Sequence, residues 1–310
     1  MASAIEVRGL TKRYGSLYAV DHIGFSVEAG TVYAFLGPNG AGKTTTTEIL
    51  EGLRRCTEGD VRVLGLDPWK QGYALHQRIG VIPQDFRFFD KITPVEGILY
   101  YGSLFGTHPD PEVLLGRVDL QDKANSRFDT LSGGQKQKLG LALALTNNPE
   151  VCFLDEPTTG LDPQARRSIW EVIRTLKREG RTVFLTTHYL EEAELLADQV
   201  GIIHHGKIIA SGTPEEIIRA HGRAQRLVFT APPALADHLR ATLDVVAETH
   251  DGRVEVSLSS PRDAARILSA VDASGIPWEG FVTRSDTLED VFVRLVGPMD
   301  EGALKPGVPA

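Results

Sequence analysis

No stretch of the chain approaches the ~18 consecutive apolar residues that a membrane-crossing helix needs. The N-terminus, Met1 to Glu6, has no charged region followed by an apolar run. The chain is therefore expected to be neither secreted nor membrane-spanning by itself. Cysteine is nearly missing: Cys56 and Cys152 stand far apart in unrelated contexts, so neither a disulfide framework nor a metal knuckle is indicated. The plain reading of both is a small buried side chain in a reducing compartment. An excess of basic charge is also missing, since 33 Lys and Arg face 41 Asp and Glu for a net charge of −8. That balance, with a pI near 5.6, argues against a nucleic-acid partner. It does not exclude a phosphate ligand, which backbone amides and one lysine can hold.

What remains is a globular composition, 42% hydrophobic and 24% charged, over 310 residues. This length suits one large α/β domain with a small appendage. From Ile5 to Val27 apolar and polar residues alternate loosely, which predicts half-buried antiparallel strands. The apolar run Val32 to Leu36 leads through a glycine-rich turn into a helix from Gly42 to about Gly52. Further short apolar runs at Ile79 to Pro83, Val151 to Leu154, 182–186 and 199–203 alternate with helical spacing, the pattern of a parallel sheet with crossover helices. Residues 94–145 lack a clear strand and predict a helical insertion. Thr93-Pro94-Val95-Glu96 and Thr213-Pro214-Glu215-Glu216 read as capped helix starts, and Asp162 is placed to cap the helix after Pro163. The expected class is thus an α/β fold whose mixed sheet carries an antiparallel β element and a helical insertion.

The composition shifts after residue 222. From Arg226 the order strand, helix, hairpin at Asp251-Gly252, helix, strand predicts a βαββαβ unit of ferredoxin-like pattern over 223–297, with a last helix through Leu288, Val291, Phe292 and Leu295. The tail, 298–310, is expected to be disordered.

Three segments carry chemistry. Gly37-Pro38-Asn39-Gly40-Ala41-Gly42-Lys43-Thr44 fits GxxxxGK[ST] between an apolar strand and a helix, the setting a P-loop demands. Its backbone N–H groups would cradle phosphates, Lys43 would reach the β and γ phosphates, and the Thr44 hydroxyl would ligate Mg²⁺. Val151 to Leu154 ends in Asp155-Glu156; beside a P-loop, Asp155 is the expected Mg²⁺ partner and Glu156 is placed to polarise an attacking water. Leu131-Ser132-Gly133-Gly134-Gln135 opens a helix, either as an ordinary capped turn or as a second anion-binding N-terminus.

The order P-loop, Gln84, LSGGQ, Asp155-Glu156, His188 resembles the ATP-binding cassette (ABC) ATPases from residue 5 to about 220. The resemblance implies that Tyr14 stacks on adenine and that residues 37 to 45, ending on Thr45, hold the phosphates of ATP. It implies that Gln84 senses Mg²⁺, water and partner, and that Ser132, Gly133, Gly134 and Gln135 form the family signature. Asp155 and Glu156 match the Walker B acid and catalytic glutamate, Gly160-Leu161-Asp162 the D-loop, and His188 the switch histidine. In this family the signature serine of one subunit completes the site of another, so a head-to-tail homodimer with two composite sites is implied. A narrower likeness is to the daunorubicin-resistance type of drug and polymer exporters. It is carried by Thr187 to Glu194, the Gly206-Lys207 turn and Thr287 to Phe292, with Lys138 where arginine is common. The implied role is an ATP-hydrolysing subunit on the cytoplasmic face of the plasma membrane, powering export through a separate membrane permease. An importer ATPase and a non-transport ABC ATPase remain the alternatives. The latter usually fuses two cassettes or inserts long coiled coils, and this sequence has neither feature.

Overall fold

The computed structural model describes residues 3–297 apart from 224, 259 and 261, so the expectation for the tail lies outside the described residues. The chain divides after Pro214, and a second compact unit spans Glu215–Arg294.

The first unit opens with β1 (Ser3–Tyr14) and β2 (Leu17–Glu28), followed by β3 (Val32–Leu36), α1 (Lys43–Leu50), β4 (Glu58–Val63), α2 (Gly72–His76) and β5 (Ile79–Ile82). The helices α3 (Pro94–Phe105), α4 (Pro111–Arg117) and α5 (Gly133–Ala144) come next. Then β6 (Val151–Asp155), α6 (Pro163–Arg178), β7 (Thr182–Thr187), α7 (Leu190–Leu196), β8 (Gln199–His204) and β9 (Lys207–Gly212) complete the unit. Among the described residues two sheets form here: an antiparallel one in the order β2-β1-β4, and a six-stranded one in the order β5-β6-β7-β3-β8-β9. The larger sheet is parallel except for β9, which runs antiparallel to β8.

Burial explains the sequence pattern. Every residue of β3, β6 and β7 is buried, because crossover elements cover both faces, and such strands read as unbroken apolar runs. One face packs Tyr33, Phe35, Phe153 and Phe184 under the antiparallel sheet, with Ile5, Val7 and Leu10 supplied by β1. The other packs Leu154, Val183 and Leu185 with Ile169, Ile173 and Leu176 from α6, whose apolar residues share one helical face. The carboxyl ends of β3, β6 and β7 consequently open at one edge, the place where parallel sheets receive ligands.

The insertion between β5 and β6 is wholly helical among its described elements. Thr93 and Glu96 form a capping box with Pro94 in the first turn, and Asp110 caps α4 through Glu112 and Val113 N–H. The aromatic-rich stretch 86–105 is split by the structure. Phe86 and Phe88 stack with centroids 6.3 Å apart and each meets Phe128 at 5.9 Å, packed against Ile98, Leu139 and their neighbours. Phe89 and Tyr100, 58% and 45% exposed, form an edge-to-face pair on the surface instead.

The second unit comprises α8 (Pro214–His221), β10 (Arg226–Thr230), α9 (Ala234–Thr242), β11 (Ala247–His250), β12 (Arg253–Ser257), α10 (Asp263–Ala273), β13 (Glu279–Arg284) and α11 (Leu288–Val296). Its sheet has the order β11-β12-β10-β13 with every pair antiparallel, the arrangement of a βαββαβ unit. Leu227, Phe229, Val254 and Val256 face Leu235, Leu239, Ile267 and Val271 from α9 and α10. Asp286 is held by the Arg226 and Arg294 guanidiniums and the Arg223 N–H, pinning the segment before α11.

The division of the aromatics yields a stability test. Phe88→Ser should cost about 2–3 kcal/mol in urea unfolding, the usual range for emptying an aromatic site that is not wholly enclosed. Phe89→Ser should stay within about 0.5 kcal/mol, as surface substitutions do. Equal losses from the two would contradict the packing.

Candidate functional site

The loop after β3 is glycine-rich because the chain passes too close to its neighbours for side chains. A Cβ on Gly37 would lie 2.4 Å from the Ile203 carbonyl oxygen, and one on Gly42 would lie 2.4 Å from that of Ala19. Gly42 also has φ of 110°, a conformation that L side chains rarely adopt. Asn39 and Gly40 form the exposed crest, while Pro38 is half-buried and Ala41 is buried. The turn between β8 and β9 braces this loop through Gly206 N–H to the Ala41 carbonyl at 3.0 Å.

Gly42 is the N-cap of α1, with no side-chain cap and no acid in the first turn. The first N–H groups of this helix thus lack intrahelical partners and, with the positive end of the dipole, form the kind of helix start that binds anions. Lys43 doubles back under the loop, its ammonium donating to the Gly37 carbonyl at 2.7 Å and the Pro38 carbonyl at 3.2 Å. Burial pushes this ammonium below the usual lysine range, opposed by the charges of Glu156 and Asp155. Thr46 and Thr47 return their hydroxyls to the carbonyls of Gly42 and Lys43. The exposed Thr44 and half-buried Thr45 have no such bond among the described residues and are free to meet a ligand.

Opposite Lys43 lies Glu156. It takes φ of 46°, in the left-handed region that a side chain of this kind avoids, and its N–H donates to the Thr186 carbonyl at 3.0 Å. Its carboxylate, 7% exposed, accepts from Gln84 Nε2 at 3.1 Å and from the Thr159 hydroxyl at 3.1 Å. His188 Nδ1 stands 3.1 Å from the same oxygen and Lys43 Nζ lies 3.9 Å from the other. Burial alone would raise this carboxyl; the contacts with His188, Lys43 and Thr159 outweigh it and hold the group below its usual value, ionised at neutral pH. The neighbouring Asp155 accepts from the Thr186 hydroxyl. Burial pushes Asp155 above the usual carboxylate range against that bond, and the Glu156 charge adds to the rise.

The structure therefore gathers Lys43, Gln84, Asp155, Glu156 and His188 from the ends of β3, β5, β6 and β7 and the start of α1. The signature residues and Tyr14 make their recorded contacts within their own neighbourhoods. Ser132 caps α5 by accepting from Gln135 N–H, and Gln135 returns its side chain to the Ser132 N–H in a capping box. Gly134 is fixed by a neighbour, since a Cβ there would lie 2.9 Å from Ala165 Cβ, whereas Gly133 is exposed. Tyr14, 41% exposed at the end of β1, has the Lys12 ammonium 5.1 Å and the Arg54 guanidinium 5.6 Å from its ring. Sequence reasoning missed Thr159 and Thr186, which hold the two carboxylates. Their only signal was threonine at the end of a buried strand and in the loop after the paired acids.

The comparisons with known proteins follow the same lines. A family model for ABC transporters matches residues 20–159, and one described as the DrrA1-3-like ATP-binding protein C-terminal domain matches residues 212–296. The Nod factor export ATP-binding protein I of Burkholderia orbicola is 37% identical over 298 residues, covering 94% of this chain and 97% of that protein. This chain belongs to the ABC transporter ATP-binding family. The daunorubicin resistance ATP-binding protein DrrA3 of Streptomyces coeruleorubidus is 36% identical to this ABC ATPase over 304 residues, covering 95% of this chain and 96% of that protein. A solved ATP-binding subunit of an ABC transporter superposes with a TM-score of 0.64 at 28% identity, covering 71% of this chain and 93% of that one. A dimeric bacterial ABC transporter cassette superposes at 0.59 with 26% identity, covering 67% and 98%.

At the far end of α1, Glu51 is 5% exposed and lines a cavity of about 330 Å³ with Ile79, Tyr101, Phe105 and Leu143. Burial, reinforced by the charges of Asp155 and Glu48, pushes its carboxyl up to about 8. An acid raised in the folded state keeps a proton that the unfolded chain has already released. Its unfavourable contribution to stability is therefore absent below the ordinary value, grows as pH rises toward 8 and is complete above it. Glu51→Gln should melt with the wild type at pH 4.5 and clearly above it at pH 8.5. Parallel melting curves across this window would refute the assignment.

Proposed function

We propose that this chain is the ATP-hydrolysing motor of a membrane exporter, acting as a head-to-tail homodimer held on the cytoplasmic face of the plasma membrane by a separate permease. The observation that carries the reading is the convergence of Lys43, Gln84 and His188 on the ionised Glu156 beside the uncapped start of α1. Export, rather than import, is favoured by the names of these relatives, which are export and drug-resistance ATP-binding proteins.

In this reading the N–H groups of residues 40–45 and the Lys43 ammonium bind the phosphates, and Tyr14 stacks on adenine in place of part of its Lys12 and Arg54 contact. Thr44, Gln84 and Asp155 offer hard oxygen donors of the kind Mg²⁺ takes alongside phosphate oxygens. Among the described residues no cluster of three or more His, Cys, Asp or Glu side chains could hold a metal alone, so this ion would arrive with the nucleotide. Mg²⁺ when bound would supply charge neutralisation at the phosphates. Glu156 then orients a water and draws off its proton, His188 and Gln84 fix the direction of the carboxylate, and Lys43 stabilises charge gathering on the γ phosphate. Ser132 to Gln135, whose capping-box hydrogen bonds stay within the start of α5, serve the site of the second copy.

A permease helix would find apolar surface at Phe89 and Tyr100 and in the neighbouring cavity lined by Tyr101 and Phe105. The second unit is read as a regulatory or assembly domain, in keeping with its lack of a glycine-rich phosphate loop.

Two experiments test the motor. Glu156→Gln should retain ATP affinity and lose turnover by about 10²- to 10⁴-fold, the worth of a positioned general base; near-normal turnover would remove Glu156 from the role. Mixing Lys43→Ala chains with Ser132→Arg chains, each inactive alone, should restore activity through one intact composite site per heterodimer. Heterodimers that form and stay inactive would argue against shared sites.

A further inference from the structure

Glu192 is a charged residue of α7 with no exposed surface at all. Its sequence neighbourhood, Leu190-Glu191-Glu192-Ala193-Glu194, reads as a solvated acidic helix, yet this one acid is turned inward. One carboxylate oxygen accepts from Trp170 Nε1 at 2.9 Å and the other from the Thr158 hydroxyl at 3.3 Å. Burial raises the carboxyl above its usual range, opposed by the hydrogen-bonding groups of Thr187, Trp170 and Thr158 and by the charge of Arg166.

These partners come from three segments. Thr158 lies two residues after Glu156. Thr187 is the last residue of β7 and immediately precedes His188, with its hydroxyl accepting from the Tyr189 N–H at 2.9 Å. Trp170 sits on α6, whose N-cap is Asp162, accepting from the N–H groups of Gln164 and Ala165. A second link runs parallel to the first. Arg166, one turn before Trp170 on the same face of α6, stacks its guanidinium 4.1 Å from the centroid of the Tyr189 ring. The Arg166 Nε is buried without a hydrogen-bond partner, so this guanidinium is held there by stacking and charge rather than by a full set of bonds.

A buried carboxyl is a costly way to fill space, and apolar side chains of similar volume usually stabilise a core as well or better. Its return here is a three-way tie. We propose that Glu192 is a positioning residue for hydrolysis: it joins the helix that follows Gly160-Leu161-Asp162, the loop after Glu156 and the strand end that carries His188 into one body. When a second copy displaces residues 160–162, the movement then reaches His188 and the Glu156 carboxylate together. The inference rests on the hydrolytic reading of Glu156 and His188.

Full-length Glu192→Leu should bind ATP with KM within about twofold of wild type but turn over about 10- to 100-fold more slowly, the scale of loss expected when a reacting group is misplaced by about 1 Å. Glu192→Gln keeps an acceptor for Trp170 and an amide that can donate to the threonine hydroxyls, and should recover most of kcat. The double variant Trp170→Phe with Glu192→Leu leaves no buried indole N–H unpaired and should keep the turnover defect. Hydrogen exchange on the nucleotide-free chains supplies a readout that needs no activity. In Glu192→Leu the amides of 156–162 and 187–190 should exchange faster together, while those of α1 keep wild-type rates. Wild-type kcat in folded Glu192→Leu, recovery of kcat in the double variant, or faster exchange confined to α7 would each overturn the proposal. Absence of turnover in the wild type would instead strike the hydrolytic reading, with exchange still deciding whether the three segments are joined.

Discussion

One buried negative charge, the Glu156 carboxylate, organises this cassette. An ion with 7% of its surface exposed survives only if partners replace its lost water. Here Gln84, Thr159, His188 and Lys43 do so, each from a different segment of the chain. That requirement fixes where β5, β6 and β7 must end relative to the P-loop, and the parallel sheet supplies it by bringing its strands out at one edge. The same requirement makes the cluster sensitive to company. A triphosphate placed between the start of α1 and this carboxylate would change the electrostatics of all four partners at once.

Much of the fold was legible because burial on both faces leaves an unmistakable mark. β3, β6 and β7 carry the unbroken apolar runs Val32–Leu36, 151–154 and 183–185 and were located to within a residue or two. β4 and β9 were not read, and the reason is their position at sheet edges. Glu58–Val63 buries only Val61 and Val63, and Lys207–Gly212 only Ala210, too few apolar residues to make a period visible. The second unit was readable for another reason: a hairpin turn at Asp251-Gly252 and two helices with clean apolar stripes leave few alternative orders.

The site was legible unevenly. Gly37 and Gly42 announce themselves because close approach of the Ile203 and Ala19 carbonyls forbids any side chain. Gln84 and His188 carry no mark of their own; one glutamine after a strand and one histidine among nine mean little until the order of motifs is set beside a known family. Thr159 and Thr186 were invisible, since threonine is at home in both strands and turns. Glu192 was worse than invisible, because three acids in five residues look like a solvated surface. A helix of seven residues is too short for periodicity to say which of its faces is inside.

The left-handed backbone of Glu156 has a further consequence. A glycine at this position would take the same φ without strain, but it would leave the buried Lys43 ammonium, Gln84 and His188 without their common partner. The chain keeps glutamate and bears a left-handed backbone at the residue its buried lysine needs. A screen for heat-resistant variants that scored only survival of the fold would therefore leave position 156 alone and gather its gains away from this cluster.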